Sequence, residues 1–329
     1  MQLHHFMVKW QKNLLFSECG VMKRMNGQAS THDNFNAWSL LINRMNSWAV
    51  PQPVNKSIYI TYSKQLKNLK SLREITLFLS DMLNQNVFPN DVIINQIIKK
   101  MDYLKQLNYV LDVHAIAVSR GFANAITYNS TISAIANSAT PDAGRALTLF
   151  NEAKGLGFAD AITYASTISA IANSAAPDER LALSLLDEAT QRFNRPDMAR
   201  DEIINLHKLS FGEVYFGLKR RLQTELNHAN ASPTHLKLIY GKGLHSHASY
   251  AAGTHPLKEA VDRVIQDMSA FGVSGKECQD NPGLFDLMIK PVIPAIQPQS
   301  GALIQNSMFP SHKKTDLNPD AREFVPKVR

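Results

Sequence analysis

The sequence predicts a mainly α chain: an α-α superhelix of helix pairs followed by a small α/β sandwich domain. Three observations predict it. Residues 125–142 (AITYNSTISAIANSATPD) and 161–178 (AITYASTISAIANSAAPD) are identical at sixteen of eighteen positions, thirty-six residues apart. A period between roughly 20 and 50 residues marks a stacked array in which each supersecondary unit buries its apolar face on the next. Beyond residue 200 the pattern changes from paired helices to strand alternating with helix.

Each repeat divides into two helices. In the first, Tyr128, Ile132, Ile135 and Ala139 fall at i, i+4, i+7 and i+11, one helical face, with Thr127 as the expected N-cap. A turn follows at Ser138-Ala139-Thr140. Pro141 is expected in the first turn of the second helix, with Asp142 beside it facing the helix dipole. That helix carries Ala146, Leu149, Phe150 and Ala153 inward and ends at Gly155 and Gly157. The second copy repeats the plan with Leu181, Leu185, Leu186 and Ala189.

Worn copies precede this pair. Asp91–Asn95 (DVIIN) aligns with Ala125–Asn129 (AITYN) at a spacing of thirty-four. Ile75, Phe78, Leu79 and Met82, followed by Asn86–Asn90 (NVFPN), form the second half of an earlier copy. Residues 58–199 therefore read as helical repeats, about four pairs, where three make a stable stack. Residues 1–57 form an N-terminal extension without an assignment, in which core packing is expected for Trp38 and Trp48.

Residues 200–290 read as the α/β domain. Strands are expected at 203–207, 235–240 and 284–289, with helices at 213–226 and from Pro256 onward. Val214, Leu218, Leu222 and Leu226 form the inward stripe of the first helix. Gly241-Lys242-Gly243 breaks the second strand into a polar loop, and Asn281-Pro282-Gly283 turns into the last. Residues 291–329, with six prolines and little periodicity, read as an extended or disordered tail.

The 329 residues leave room for two or three domains, and a net charge of +7 with a pI near 9.3 favours an anionic partner. Cys19 and Cys278 lie far apart without metal-ligand spacing, which argues against a disulfide framework or zinc knuckle and fits a reducing, cytoplasmic compartment. No apolar run is long enough to span a bilayer, so no membrane partner is expected. The first fifty-six residues carry six lysines and arginines against Glu18 and Asp33, a balance that resembles an organelle presequence but lacks its arginine richness. Mitochondrion or plastid is thus the alternative location.

Two resemblances rest on these residues. Ile126–Ala134 (ITYNSTISA), Ala146–Ala153 (ALTLFNEA) and the closing Gly157–Asp160 (GFAD) resemble the pentatricopeptide repeat (PPR) family. Ile204–His207 (INLH) with Leu209-Ser210, Tyr240–Ser246 (YGKGLHS), Pro256–Val261 (PLKEAV) and Asn281–Gly283 (NPG) resemble the small MutS-related (Smr) domain. Together they cover about two thirds of the chain, in the order of the combined pentatricopeptide–Smr architecture. The Trp-Leu-Gly-Tyr pattern of tetratricopeptide scaffolds is missing.

The first resemblance implies single-stranded RNA binding, one base per helix pair, with DNA less favoured. Carried over residue by residue, the base-reading pairs are Asn95 with Asn124, Asn129 with Asp160, and Ala165 with Asp197. An Asn amide donates and accepts, and its partner completes the pattern on a base edge. The family's preferences imply uracil at Asn129/Asp160 and a pyrimidine at Asn95/Asn124. Ala165 departs from the pattern and leaves the third site little to read with. Lys64, Lys67, Lys70 and Arg73 step along a helix as a solvated face that would also track an RNA backbone.

The second resemblance implies nucleic-acid binding and, in many relatives, nicking, so the chain is a candidate RNA endonuclease, a phosphodiester hydrolase or transesterase. Gly241, Lys242, Gly243 and His245 are the expected phosphate-binding residues, since small residues let backbone N–H groups approach an anion. His207 is the expected catalytic proton-transfer group. The family's Asp is Asn205 here, its Gly is Lys208, and the His that often opens the second motif is Tyr240. No cofactor is expected; a divalent metal held by His207 with His245, His247 and His255 is the alternative. The competing functional class is a helical-repeat scaffold for protein partners with an inactive Smr-like domain.

Overall fold

Side-chain-capped helices with apolar stripes make up most of this protein. The computed structural model describes residues 31–48, 56–194, 198, 203–228, 233–240, 256–278 and 283–290. Among them are eleven α-helices and a four-stranded mixed sheet, so the chain is mainly helical with a small α/β portion. The helices are α1 (Thr31–Asn46), α2 (Lys56–Asn68), α3 (Leu72–Asn84), α4 (Asp91–Tyr103), α5 (Leu107–Ser119), α6 (Ala125–Ala136), α7 (Ala143–Gly155), α8 (Ala161–Asn173) and α9 (Glu179–Phe193). The α/β portion follows as β1 (Ile203–Asn205), α10 (Phe211–His228), β2 (Thr234–Ile239), α11 (Pro256–Met268), β3 (Val273–Glu277) and β4 (Leu284–Ile289). No described helix is long and apolar enough to cross a membrane.

Helix ends follow local chemistry. Asn90, Asn124 and Asp160 stand in extended backbone before α4, α6 and α8, and each side chain accepts from the first turn. At α6 and α8 the third helical residue, Thr127 or Thr163, bonds back to close a capping box. Thr127 is therefore not the N-cap expected from sequence. Asp142 caps α7, so Pro141 precedes the helix instead of lying in its first turn, and Ala139 is exposed in the turn. Gly121 (φ 70°), Gly157 (φ 75°) and Asn86 (φ 58°) follow the C-caps of α5, α7 and α3, while Asn194 (φ 50°) is itself the C-cap of α9. Phe122 and Phe158 then donate to the carbonyls of Ala117 and Ala153, the closure that glycine in left-handed backbone permits.

Helices α2, α4, α6, α8 and α10 form one row in which each touches the next. Their partners α5, α7 and α9 lie against α4, α6 and α8 on the other side. Tyr128, Ile132 and Ile135, and in the next copy Tyr164, Ile168 and Ile171, are buried as the helical spacing predicts. The extension left without an assignment contains α1, which packs on α3 and α5. Trp38 is buried, donates to Asp112 Oδ2 at 2.9 Å and meets the Tyr109 ring edge-on at 4.9 Å. The Arg120 guanidinium donates to the carbonyls of Met45, Asn46 and Trp48 at 2.6, 2.6 and 2.7 Å, satisfying groups that the end of α1 leaves open.

Sheet order is β1-β2-β4-β3, with β1 and β2 parallel and β4 antiparallel to both neighbours. The carboxyl ends of β1, β2 and β3 thus share one edge with the start of β4. Helices α10 and α11 pack together on one face, while Ile203, His235, Lys237 and Lys276 are exposed on the strands. Strand β1 is shorter than the expected 203–207, and β3 was not expected at all. One apolar core runs from α6 through α9 into the sheet, and a second joins α1 to α6. The described residues belong to one compact unit.

His114 is buried between α5 and α6. Its Nδ1 lies 3.1 Å from Thr131 Oγ1, a hydroxyl that itself donates to the Thr127 carbonyl, so the imidazole N–H is the donor. Its Nε2 is buried without a hydrogen-bond partner among the described residues, and burial pushes the pKa down to about 4 from an ordinary 6.5. The unfolded chain takes up this proton first, so the stability of the neutral native state is present above pH 6.5 and lost as pH falls toward 4. The loss amounts to about 3 kcal/mol at most. His114→Asn, which keeps a donor near Nδ1, should flatten the pH dependence of urea unfolding across that window; an unchanged slope would contradict the assignment.

Candidate nucleic-acid interface

The row of first helices brings the expected base-reading residues together in pairs. Asn95, on the second turn of α4, donates through Nδ2 to Oδ1 of Asn124 at 3.3 Å, and its Oδ1 accepts from Thr127 Oγ1 at 2.8 Å. One helix further on, Asn129 Nδ2 donates to the two Asp160 oxygens at 3.0 and 3.2 Å, and its Oδ1 accepts from Thr163 Oγ1 at 2.6 Å. In both pairs, the fifth residue of one helix meets the N-cap of the next. Asn95 and Asn129 are 7% and 8% exposed, so these amides also stitch neighbouring helices.

The two pairs differ in what they still offer. Asn124 Oδ1 accepts from the backbone N–H groups of Ile126 and Thr127, which identifies it as the oxygen and makes the amide Nδ2 a remaining donor. Asp160 Oδ1 takes the equivalent bonds from Ile162 and Thr163, and Oδ2 accepts only from Asn129 among the described residues. Half-buried Asn124 presents N–H; half-buried Asp160 presents a carboxylate oxygen.

Sequence reasoning passed over a second row. Val92, Ile126 and Ile162, the second residues of α4, α6 and α8, are 49%, 51% and 62% exposed. One exposed aliphatic at the same repeat position is ordinary; three in register leave apolar faces of base size beside each polar pair. The signal was in the sequence as an apolar residue at a position off the helix's inward stripe.

The third pair is different. Asp197 lies outside the described residues. Beside Ala165 stands Ser210, whose Oγ donates to the Ala165 carbonyl at 3.2 Å. Ser210 is the N-cap of α10, closing a box with Glu213: the Ser210 N–H donates to Glu213 Oε2 at 2.7 Å and the Glu213 N–H to Ser210 Oγ at 3.3 Å. The Gly212 N–H donates to Ser169 Oγ at 3.1 Å, and Lys219 and Arg220 pair with Glu179 and Asp187 on α9 at 2.7 and 2.5 Å. Helix α10 thus occupies the place of the next first helix in the row.

His207 lies two residues beyond the end of β1. Its backbone N–H and Nδ1 reach Asn205 Oδ1 at 3.0 and 2.7 Å. An amide oxygen that accepts a backbone N–H has nothing to donate, so Nδ1 carries the proton and Nε2 the lone pair of an exposed ring. Asn205 therefore orients the imidazole without supplying the charge that a carboxylate would. Lys208 adopts φ 69°, backbone that glycine enters without strain. Just after β2, buried Tyr240 donates its hydroxyl to Glu277 at the end of β3; burial and this carboxylate hold its proton on. Glu277 is an acidic group on the His207 edge that the sequence did not reveal, because β3 was unread. Gly241, Lys242, Gly243 and His245, with His247 and His255, lie outside the described residues. Lys64, Lys67 and Lys70 are exposed and Arg73 is half-buried. Among the described residues no cluster of His, Cys, Asp and Glu is arranged to hold a metal ion. Neither a family model nor a curated protein matches the chain.

Proposed function

We propose that this chain is an RNA-binding protein of the pentatricopeptide–Smr kind, which reads single-stranded RNA along the row of first helices and clamps or nicks it with its α/β domain. The observation that carries this reading is the repeating unit of an amide–cap pair beside an exposed aliphatic side chain, at Val92/Asn95/Asn124 and at Ile126/Asn129/Asp160 with Ile162 beyond. Aliphatic faces on both sides of a base supply sequence-tolerant contact, and the polar pair between them supplies choice. Asp160 Oδ2 is an acceptor suited to the N3–H of uracil. The Asn124 amide is a donor suited to the bare N3 of cytosine. The exposed lysines of α2 and the net positive charge add salt-dependent attraction to phosphate.

Binding of labelled single-stranded oligonucleotides to wild type and Asn129→Ala tests the reading. The variant is expected to lose roughly 1–2 kcal/mol of preference at one nucleotide, with the slope of affinity against salt unchanged. Equal loss on poly-U and poly-A would instead give Asn129 the purely structural task its buried hydrogen bonds support. No RNA affinity in the wild type would favour the protein-scaffold alternative.

A further inference from the structure

Building on the RNA-binding reading, we infer that the base-reading row closes at α8, and that the nucleotide beyond the Asn129/Asp160 pair passes unread to the exposed imidazole of His207. Three observations define the closure. The cap of α10 meets the fifth residue of α8 as Asn124 and Asp160 meet theirs, but the contact is Ser210 Oγ to a backbone carbonyl, with Ala165 offering no polar group. Residue 212 holds the register position of Val92, Ile126 and Ile162, and there a buried glycine replaces the exposed aliphatic. A Cβ at Gly212 would lie 2.5 Å from the Ser169 nitrogen and 2.6 Å from the Ile168 carbonyl. A seam of two backbones in contact has no room for a base.

The chain leading into that seam carries His207 at a fixed reach. Only two residues lie between it and Ser210, so their Cα atoms are at most roughly 11 Å apart. Neighbouring helices in such a row are spaced roughly 8–10 Å, so His207 stands within about one slot of the sealed one. The segment is tethered throughout: Leu206 N–H to the Ile239 carbonyl at 2.8 Å, Leu209 N–H to the Leu206 carbonyl at 3.1 Å, and Ser210 on Ala165. A strand lying on Ile126 and Ile162 is therefore measured against His207 by rigid elements. The last base read fixes which phosphodiester meets the imidazole.

The test uses the full chain with Cys19 and Cys278 changed to Ser and a single cysteine introduced as His207→Cys, which carries an iron–EDTA probe. The RNA is an A-rich oligonucleotide holding one uridine that is moved in single steps. Radical cleavage is expected to centre one or two nucleotides to one side of the uridine and to move with it step for step. An Ile203→Cys probe at the start of β1 should cut with a different offset or not at all, and both variants replace exposed side chains. Bound RNA whose cuts do not follow the uridine, or centre on it, overturns the inference and leaves the RNA reading standing. Loss of binding by the unlabelled wild type in the same assay overturns the reading itself.

Discussion

Replacing Gly212 by alanine is expected to destabilise the protein by about 2–3 kcal/mol, the upper part of the range for overpacking. The added methyl would meet main-chain atoms of α8, at 2.5 Å from the Ser169 nitrogen, and no rotamer change can move a helix backbone aside. Helix α10 would have to lift, losing the Gly212–Ser169 bond and loosening the ion pairs of Lys219 and Arg220 to α9. Those pairs are partly exposed and contribute little by themselves, so the loss comes from the seam. Denaturant unfolding should show a lower midpoint, and a second transition if the sheet domain separates before the helices melt. Gly144→Ala is the control: its nearest obstacle is Asp142 Oδ1 at 3.4 Å, and alanine favours the helix. An unshifted midpoint for Gly212→Ala would mean that α8 and α10 are not so tightly joined.

Removing the imidazole with His207→Ala is expected to lower RNA cleavage by at least about 10²-fold, the usual contribution of a positioned proton-transfer group. In this role Nε2 takes the proton of the attacking hydroxyl or water, because Nδ1–H is committed to Asn205 at 2.7 Å. RNA affinity should stay within about twofold, since His207 is exposed and outside the polar pairs. Asn205 neutralises no metal charge, so wild-type cleavage should change little between Mg²⁺ and EDTA. The measurement is product formation on labelled single-stranded RNA under saturating protein. Cleavage at the wild-type rate in His207→Ala would remove this residue from the chemistry. Wild-type protein that binds RNA and leaves it intact with Mg²⁺ or Mn²⁺ would assign the domain to clamping.

What the sequence disclosed follows from where its information is local. Helical faces such as Tyr128, Ile132 and Ile135 recur at the spacing burial requires, and they are buried. Strand β4, alternating from Leu284 to Ile289 with one face covered, was legible for the same reason. Strand β3 was not, because only Val273 is buried and the rest of that edge strand is exposed around Gly275. Helix α1 has no repeat copy to announce it, and its anchors, Asp112 and Arg120, lie more than seventy residues away. At the candidate site, residue types suggested the Asn and Asp pairs, but not that each cap is also a structural bond between helices. That Ser210 stands beside Ala165 was not legible, because the contact joins residues forty-five apart in the chain; Asp197 lies outside the described residues.

The close likeness of the two repeats raises a question of register during folding. Helices α6 and α8 present nearly the same surface, and a chain that docked α10 one repeat too early would bury much the same apolar groups. The difference between them on that face is residue 129 against 165. On α6, the Asn129 amide would stand over the seam that Ser210 and Gly212 must enter, where α10 brings the Ser210 hydroxyl and the Glu213 carboxylate in place of Asp160 and Thr163. Against Ala165 the same approach meets only a methyl group and a carbonyl that accepts the serine. A single side chain thus distinguishes two otherwise matching helices as seats for α10.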